Sequence, residues 1–91
     1  MAITTIFDLS DMRQEQYDQV IQNLDASGLG APNGRLHHVA SSSGNGILIV
    51  DVWESEETLG KFSEGLIPML VAAGVTPVEP RILQIHNIIK G

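Results

Sequence analysis

The 91-residue chain has no cysteine and no long apolar run. The absence of cysteine excludes disulfides, thiolate nucleophiles and cysteine-ligated zinc or iron–sulfur centres. No apolar stretch approaches the roughly 18 residues that a membrane helix requires, and the N-terminal residues lack the basic region and apolar core of a secretory signal. The sequence therefore predicts a cytoplasmic protein that does not associate with membranes.

Positive charge is also scarce. Five Lys and Arg residues stand against eleven Asp and Glu residues, so the formal net charge is −6. The five cations do not form the basic stripe that follows a phosphate backbone, and nucleic acid is not an expected partner. Hydrophobic residues make up 43% of the chain and charged residues 18%, which is typical of a globular domain.

The length predicts one domain that covers residues 1–91. A domain of this size buries only about 60–65% of the surface that its unfolded chain exposes. Its stability alone is therefore marginal, and association with a second chain would supply additional burial.

Local patterns predict four strands and two helices in the order β-α-β-β-α-β. Strands are predicted over residues 2–7, 35–41, 47–53 and 81–89, and helices over 12–26 and 55–73. This order is the split pattern of ferredoxin-like domains. We therefore predict an α+β fold in which an antiparallel four-stranded sheet carries both helices on one face.

The third predicted strand is apolar on both faces except at Asp51. Since two helices cover only one face of the sheet, the same face of another copy is expected to cover the other, which gives a homodimer. The even-numbered residues of this strand are uniformly apolar and are predicted to face the helices. Ile49, Asp51 and Trp53 would then lie on the partner-facing side.

The neighbouring strands are expected to add polar groups to this partner-facing side. A two-residue Asn45-Gly46 turn would pair His38 with Trp53 and bring both close to Asp51, whereas a three-residue turn would present His37 instead. By the same alternation, the first strand contributes Thr4, Ile6 and Asp8, and the fourth contributes Gln84 and His86.

The segment Val52-Trp53-Glu54-Ser55-Glu56-Glu57, followed by Phe62, resembles the "W-E-S" junction of the dimeric α+β barrel superfamily. Within it, the chain most resembles the antibiotic biosynthesis monooxygenase-like (ABM-like) domains. The resemblance implies a dimeric α/β barrel in which two sheets face each other, with a small hydrophobic ligand between sheet and helices. Haem-degrading members have an asparagine in the first strand and a histidine in the second helix, and this chain has neither.

The resemblance also implies that, if the chain is an enzyme, it is a cofactor-independent monooxygenase acting on a hydrophobic or aromatic substrate. His38 would act as general base, Asp51 would orient it, and Trp53 would stack on the substrate. Tyr17 and His86 are further candidates for substrate contact. No metal and no cofactor are expected.

A structural interpretation of the same residues stays open. His38 and Asp51 are then a polar pair at the dimer interface, Trp53 is an apolar anchor, Tyr17 packs in the core and His86 bonds a backbone carbonyl. The chain would be a non-catalytic dimeric module for ligand binding or association. A metal site of His38, Asp51 and His86 is another alternative. A cavity that reaches His38 would favour the enzyme.

Overall fold

The computed structural model describes residues 2–91 and contains the six predicted elements. The strands are β1 (Ile3–Leu9), β2 (Arg35–Ser43), β3 (Gly46–Trp53) and β4 (Arg81–Gln84), and the helices are α1 (Gln14–Ala26) and α2 (Glu56–Ala72). All neighbouring strands are antiparallel, in the order β2-β3-β1-β4. Both helices contact β3 and each other. The predicted ferredoxin-like α+β fold is confirmed.

Both helices pack as their sequences indicate, but α1 begins at Gln14, two residues later than predicted. Ser55 caps α2, because its Oγ accepts a hydrogen bond from the Thr58 backbone N–H at 3.2 Å. Helix α1 buries Val20 and Leu24, and α2 buries three apolar residues on one side, namely Leu59, Phe62 and Leu70. These side chains form the helix half of the hydrophobic core.

The sheet turns its odd-numbered β3 residues toward the helices. Ile3 pairs with Trp53 and Thr5 pairs with Asp51, and all four residues are at most 3% exposed. The Trp53 ring packs against Phe62 of α2 with ring centroids 5.4 Å apart. The predicted placement of Asp51 and Trp53 on the partner-facing side is therefore wrong, and Ile49 lies on the helix side with them. Because β3 is apolar on both faces, alternation alone could not choose between them.

The opposite face of the sheet is open. It carries Thr4 and Ile6 of β1, as predicted, which pair with Val52 and Val50 of β3. Val39 of β2 pairs with Val50 on the same face and is 56% exposed. This open sheet face is thus largely apolar.

The β2–β3 hairpin closes one residue earlier than predicted. Ser43 pairs with Gly46, so the two-residue turn is Gly44-Asn45, with Gly44 at a φ of 58°. His38 therefore lies opposite Asp51, and the predicted pairing with Trp53 is wrong.

A β-bulge interrupts the start of β2. The register shifts between Arg35 and His37, so that Arg35 lies opposite Trp53 while His38 lies opposite Asp51. Regular alternation would put residues 35 and 38 on opposite faces. The bulge brings both to the helix side.

Strand β4 ends at Gln84, so the predicted strand over residues 81–89 is too long. Strand β4 lies at the edge of the sheet and pairs only with β1. Gln84 pairs with Ile3, the first residue of β1, so the ladder ends there. The register also places Leu83 on the open face and Gln84 on the helix side, which reverses the prediction. His86 lies beyond the strand and is exposed.

No helix within residues 2–91 has both the length and the apolar character to cross a membrane. The cytoplasmic location stays a prediction.

Candidate functional site

A small cavity of about 40 Å³ lies between the two helices and the helix side of the sheet. Its wall is mostly apolar, formed by Phe7, Leu9, Met12, Val20, Ile21, Leu24, Ile49, Leu59, Phe62, Leu66 and Leu70. Four polar side chains complete it, namely Tyr17, Arg35, His38 and Asp51. Because one water needs roughly 10–15 Å³, the cavity holds a few waters or part of a ligand, and a whole aromatic ligand requires side-chain movement.

Three of these polar side chains, with Trp53, form a continuous hydrogen-bonded chain. The Tyr17 hydroxyl lies 2.7 Å from His38 Nε2, and His38 Nδ1 lies 2.6 Å from Asp51 Oδ1. The indole N–H of Trp53 donates to the second carboxylate oxygen, Oδ2, at 3.3 Å. We call these residues the Tyr17–His38–Asp51 relay, with Trp53 as its anchor.

The local folding explains why these side chains meet. Tyr17 lies on the same side of α1 as Val20 and Leu24, which turns it toward the sheet. His38 and Asp51 are directly opposed on β2 and β3, where side chains on one face are within contact distance. Trp53 follows Asp51 by two residues and therefore shares its face.

The hydrogen bonds determine where the protons lie. An ionised Asp51 only accepts, so the proton of His38 sits on Nδ1 and leaves Nε2 to accept from the Tyr17 hydroxyl. Burial raises the pKa of Tyr17 above its ordinary value of 10.0, an effect that Arg35 opposes and that Asp51 and Asp18 reinforce. Tyr17 is therefore a neutral donor at neutral pH.

The degree of burial differs along the relay. Asp51 is 3% exposed and Trp53 is fully buried, whereas the His38 side chain is 21% exposed and lines the cavity. The carboxylate is thus held in a low-dielectric environment by two donors, while the imidazole and the phenol face the space in which a ligand would sit.

Arg35 is the cation of the site. Its Nη2 donates to the Gly30 carbonyl at 3.0 Å, and its guanidinium carbon lies 5.8 Å from the centre of the Phe62 ring. Arg35 could not be identified from the sequence, because only the β-bulge brings it to the helix side.

A second, more open cleft of about 250 Å³ lies beside the first. The α1–β2 loop and the first turns of α2 form it, and its lining includes Leu29, Pro32, Thr58 and Lys61. Phe62 belongs to the walls of both spaces and separates them.

The structure brings together some of the predicted site residues and separates others. Tyr17, His38 and Asp51 are in contact at the cavity. Trp53 lies behind the cavity wall, where it can hold Asp51 but does not face a ligand. His86 is exposed beyond β4, and His37 is exposed on β2. Within residues 2–91 no three side chains are grouped as metal ligands, so the alternative site of His38, Asp51 and His86 does not form.

Fold and site together define a ferredoxin-like α+β chain with a small cavity between its sheet and helices. Comparison with known sequence families finds no family that matches, and comparison with curated proteins finds no relative. Among solved structures, the chain is similar to SnoaB, a cofactor-independent oxygenase from Streptomyces nogalater. The TM-score is 0.62 at 11% sequence identity, over 99% of this chain and 95% of SnoaB. This likeness establishes the shared fold.

Proposed function

We propose that the chain is an enzyme in which His38, oriented by Asp51, removes a proton from a small hydrophobic ligand through the hydroxyl of Tyr17. The observation that carries this proposal is the Tyr17–His38–Asp51 relay on the wall of a mostly apolar cavity. A base that already has an orienting carboxylate and faces a cavity is the arrangement that general base catalysis requires.

The proton transfer uses both sides of the Tyr17 oxygen. While its O–H donates to His38 Nε2, a lone pair accepts the proton of the ligand. The Tyr17 proton passes to His38 in the same step, so that no doubly protonated phenol oxygen forms, and the resulting imidazolium is stabilised by the buried carboxylate 2.6 Å away. Tyr17 is neutral before and after the step, as its raised pKa requires.

The likeness to a cofactor-independent oxygenase supports dioxygen as the oxidant. Deprotonation of an activated methylene, R₂CH₂, leaves a carbanion whose electron pair reduces dioxygen, and protonation gives the hydroperoxide R₂CH–OOH. Loss of water then gives the ketone R₂C=O, so that one methylene and one dioxygen yield one ketone and one water. The protein's contribution is the base and a dry cavity.

The test is oxygen consumption with activated-methylene and hydroquinone compounds of one to three rings. His38→Gln and Tyr17→Phe are expected to lower the rate by about 10²–10⁴-fold, the usual contribution of a general base. The matched control is His37→Gln, since His37 is the adjacent histidine and lies on the open sheet face. Equal rates for His38→Gln and His37→Gln would overturn the role of His38.

A non-catalytic ligand-binding module is the second candidate, because the Tyr17 hydroxyl on the cavity wall could also hydrogen-bond a polar group of a bound compound without any proton transfer. Such a module would bind compounds of the same panel without consuming oxygen. Saturable binding that Tyr17→Phe weakens, with no oxygen consumption above the protein-free rate, would select this candidate.

We also propose that two copies associate through the open sheet face to form a homodimer. The face is largely apolar, and its central residues Val39 and Val50 lie side by side. Val50→Asp is expected to shift the protein to a monomeric mass in sedimentation analysis. Ile67→Asp is the matched control, because Ile67 is an exposed apolar residue of α2 on the other side of the molecule. A Val50→Asp protein with the parent's mass, or a monomeric parent, would contradict the proposal.

A further inference from the structure

Arg35 differs from the other cationic residues of the chain in its surroundings. The remaining lysines and arginines are all exposed, whereas Arg35 is half-buried and its side chain lies on the cavity wall. One guanidinium nitrogen donates to the Gly30 carbonyl, and the group lies over the face of the Phe62 ring. Both contacts fix its position.

The charge of Arg35 has no counter-ion within residues 2–91. The ion pairs of this part of the chain involve Arg13 and Lys61, and His38 bonds to Asp51, but no carboxylate pairs with Arg35. The nearest buried carboxylate, Asp51, already accepts from His38 and Trp53 with its two oxygens. A guanidinium carries five N–H donors, of which one is used here in a hydrogen bond.

An unpaired cation is costly in a partly desolvated position. The net charge of −6 means that carboxylates are abundant in this chain, and yet none pairs with Arg35. The planar fork of donors is suited to a carboxylate or another ionised oxygen. The space that would hold such a group is the cavity, with the relay on its other polar wall.

We propose that the cavity takes an apolar ligand bearing an ionised oxygen, a carboxylate or an enolate-type oxyanion, and that Arg35 pairs with this oxygen. This inference rests on the proposed function, because the oxyanion is either carried by the ligand or formed when the relay removes a proton. Arg35 thereby determines specificity for anions, while the relay determines reactivity.

The proximity of Arg35 to the relay supports this division of roles. The positive charge of Arg35 lowers the pKa of Tyr17 against the effect of burial, so its field reaches the oxygen at which the ligand would lose its proton. The same field would stabilise negative charge that develops on a ligand at this point.

The experiment compares anions with neutral compounds of the same shape. Butyrate is paired with butyramide, and 4-nitrophenolate with 4-nitroanisole, at constant ionic strength. Binding is followed by the fluorescence of Trp53, the single tryptophan, which packs against the Phe62 wall. The nitrophenyl pair absorbs light, so its binding is followed directly by the shifts of backbone amide resonances.

We expect the parent protein to bind the anion of at least one pair about ten-fold or more tightly than its neutral partner, as charge-assisted bidentate bonds imply. Preference within the butyrate pair identifies a carboxylate ligand, and preference within the nitrophenyl pair alone identifies an enolate-type ligand. Arg35→Gln removes the preference, and Arg35→Lys retains part of it because the charge remains but the fork is lost.

The control is Arg13→Gln, since Arg13 is an exposed arginine away from the cavity, and it keeps the full preference. If Arg35→Gln does not fold, Arg35→Lys is the deciding variant, and an unchanged preference in it overturns the proposal. Tighter binding of the neutral compounds would overturn the role of Arg35 and leave the relay as a base. Failure of all four compounds to bind would overturn the anion site, whereas the small-molecule function would be overturned only if the activated-methylene and hydroquinone panel also failed to bind.

Discussion

The His38–Asp51 pair is central to the site, and a double-mutant cycle tests whether it exists in solution. His38→Ala leaves a carboxylate that is 3% exposed with a single donor, the Trp53 N–H at 3.3 Å. Because the imidazole is a neutral donor to a buried charged acceptor, its removal costs about 3 kcal/mol, the upper end of the range for an under-satisfied buried group.

Asp51→Ala leaves the donors of His38 and Trp53 without an acceptor, which costs about 2–3 kcal/mol. The double variant leaves the Trp53 N–H and the Tyr17 hydroxyl unpaired, so we expect it to lose about 3–4 kcal/mol. The coupling free energy is then about 2 kcal/mol. A chain of 91 residues has a total stability of about 5–14 kcal/mol, so the single variants are expected to fold.

Urea denaturation with linear extrapolation measures the four free energies of unfolding. His38→Gln is a matched control, because its amide N–H can still donate to Asp51, and it should recover part of the loss. If the two single losses add to the double loss within about 0.5 kcal/mol, the side chains do not interact and the relay is not present.

Further predictions concern stability and protonation. Burial raises the pKa of Tyr17, the single tyrosine, so the stability that its neutral form contributes is complete below pH 10.0 and is lost as the pH rises through the raised pKa. Phenolate absorbance measures this titration directly, and Arg35→Gln should move the titration to higher pH because it removes the charge that lowers the pKa. Thr5 Oγ1 is buried without a hydrogen-bond partner in residues 2–91, so Thr5→Val should raise the free energy of unfolding by about 1 kcal/mol, and a loss would show that the hydroxyl is satisfied. A Cβ on Gly46 would lie 2.5 Å from the Leu9 carbonyl oxygen, so Gly46→Ala should lower the free energy of unfolding by about 1–3 kcal/mol. A Cβ on Gly60 would meet no atom, and alanine is the better helix former, so Gly60→Ala in α2 should raise the free energy of unfolding by about 0.5–1 kcal/mol. Thermal unfolding that ranks the two alanine variants in the opposite order would refute this placement of the hairpin.

The element order was predictable, because each element has its own local signal. Ser55 marks the start of α2, and Gly44 to Gly46 marks the hairpin within one residue. Strand faces were less predictable. The assignments for β1 and β3 conflict once the register pairs Thr4 with Val52, since paired residues share a face. That pairing is a long-range property, which hydrophobic alternation within a two-sided apolar strand does not determine.

The site was predictable in part for the same reason. His38 and Asp51 were predicted to be neighbours, but they are paired through a register that differs from the predicted one. Because the faces of β3 are reversed, the two side chains lie on the helix side with Tyr17 and not on the partner-facing side. Arg35 had no usable signal, because a bulge depends on how β2 fits both the hairpin and the preceding loop. Position relative to a bulge changes which residues share a face.

The bulge also determines which of the two residues before His37 faces the cavity. In a regular ladder Leu36 would lie opposite Trp53 and Arg35 would point to the open sheet face. Instead Leu36 is 49% exposed and Arg35 is half-buried on the cavity wall. Residues 37–43 would keep their partners in either arrangement. The local change of register at the bulge therefore determines whether the cavity wall carries the Arg35 cation or the aliphatic Leu36 side chain. It does so without changing the position of His38 opposite Asp51.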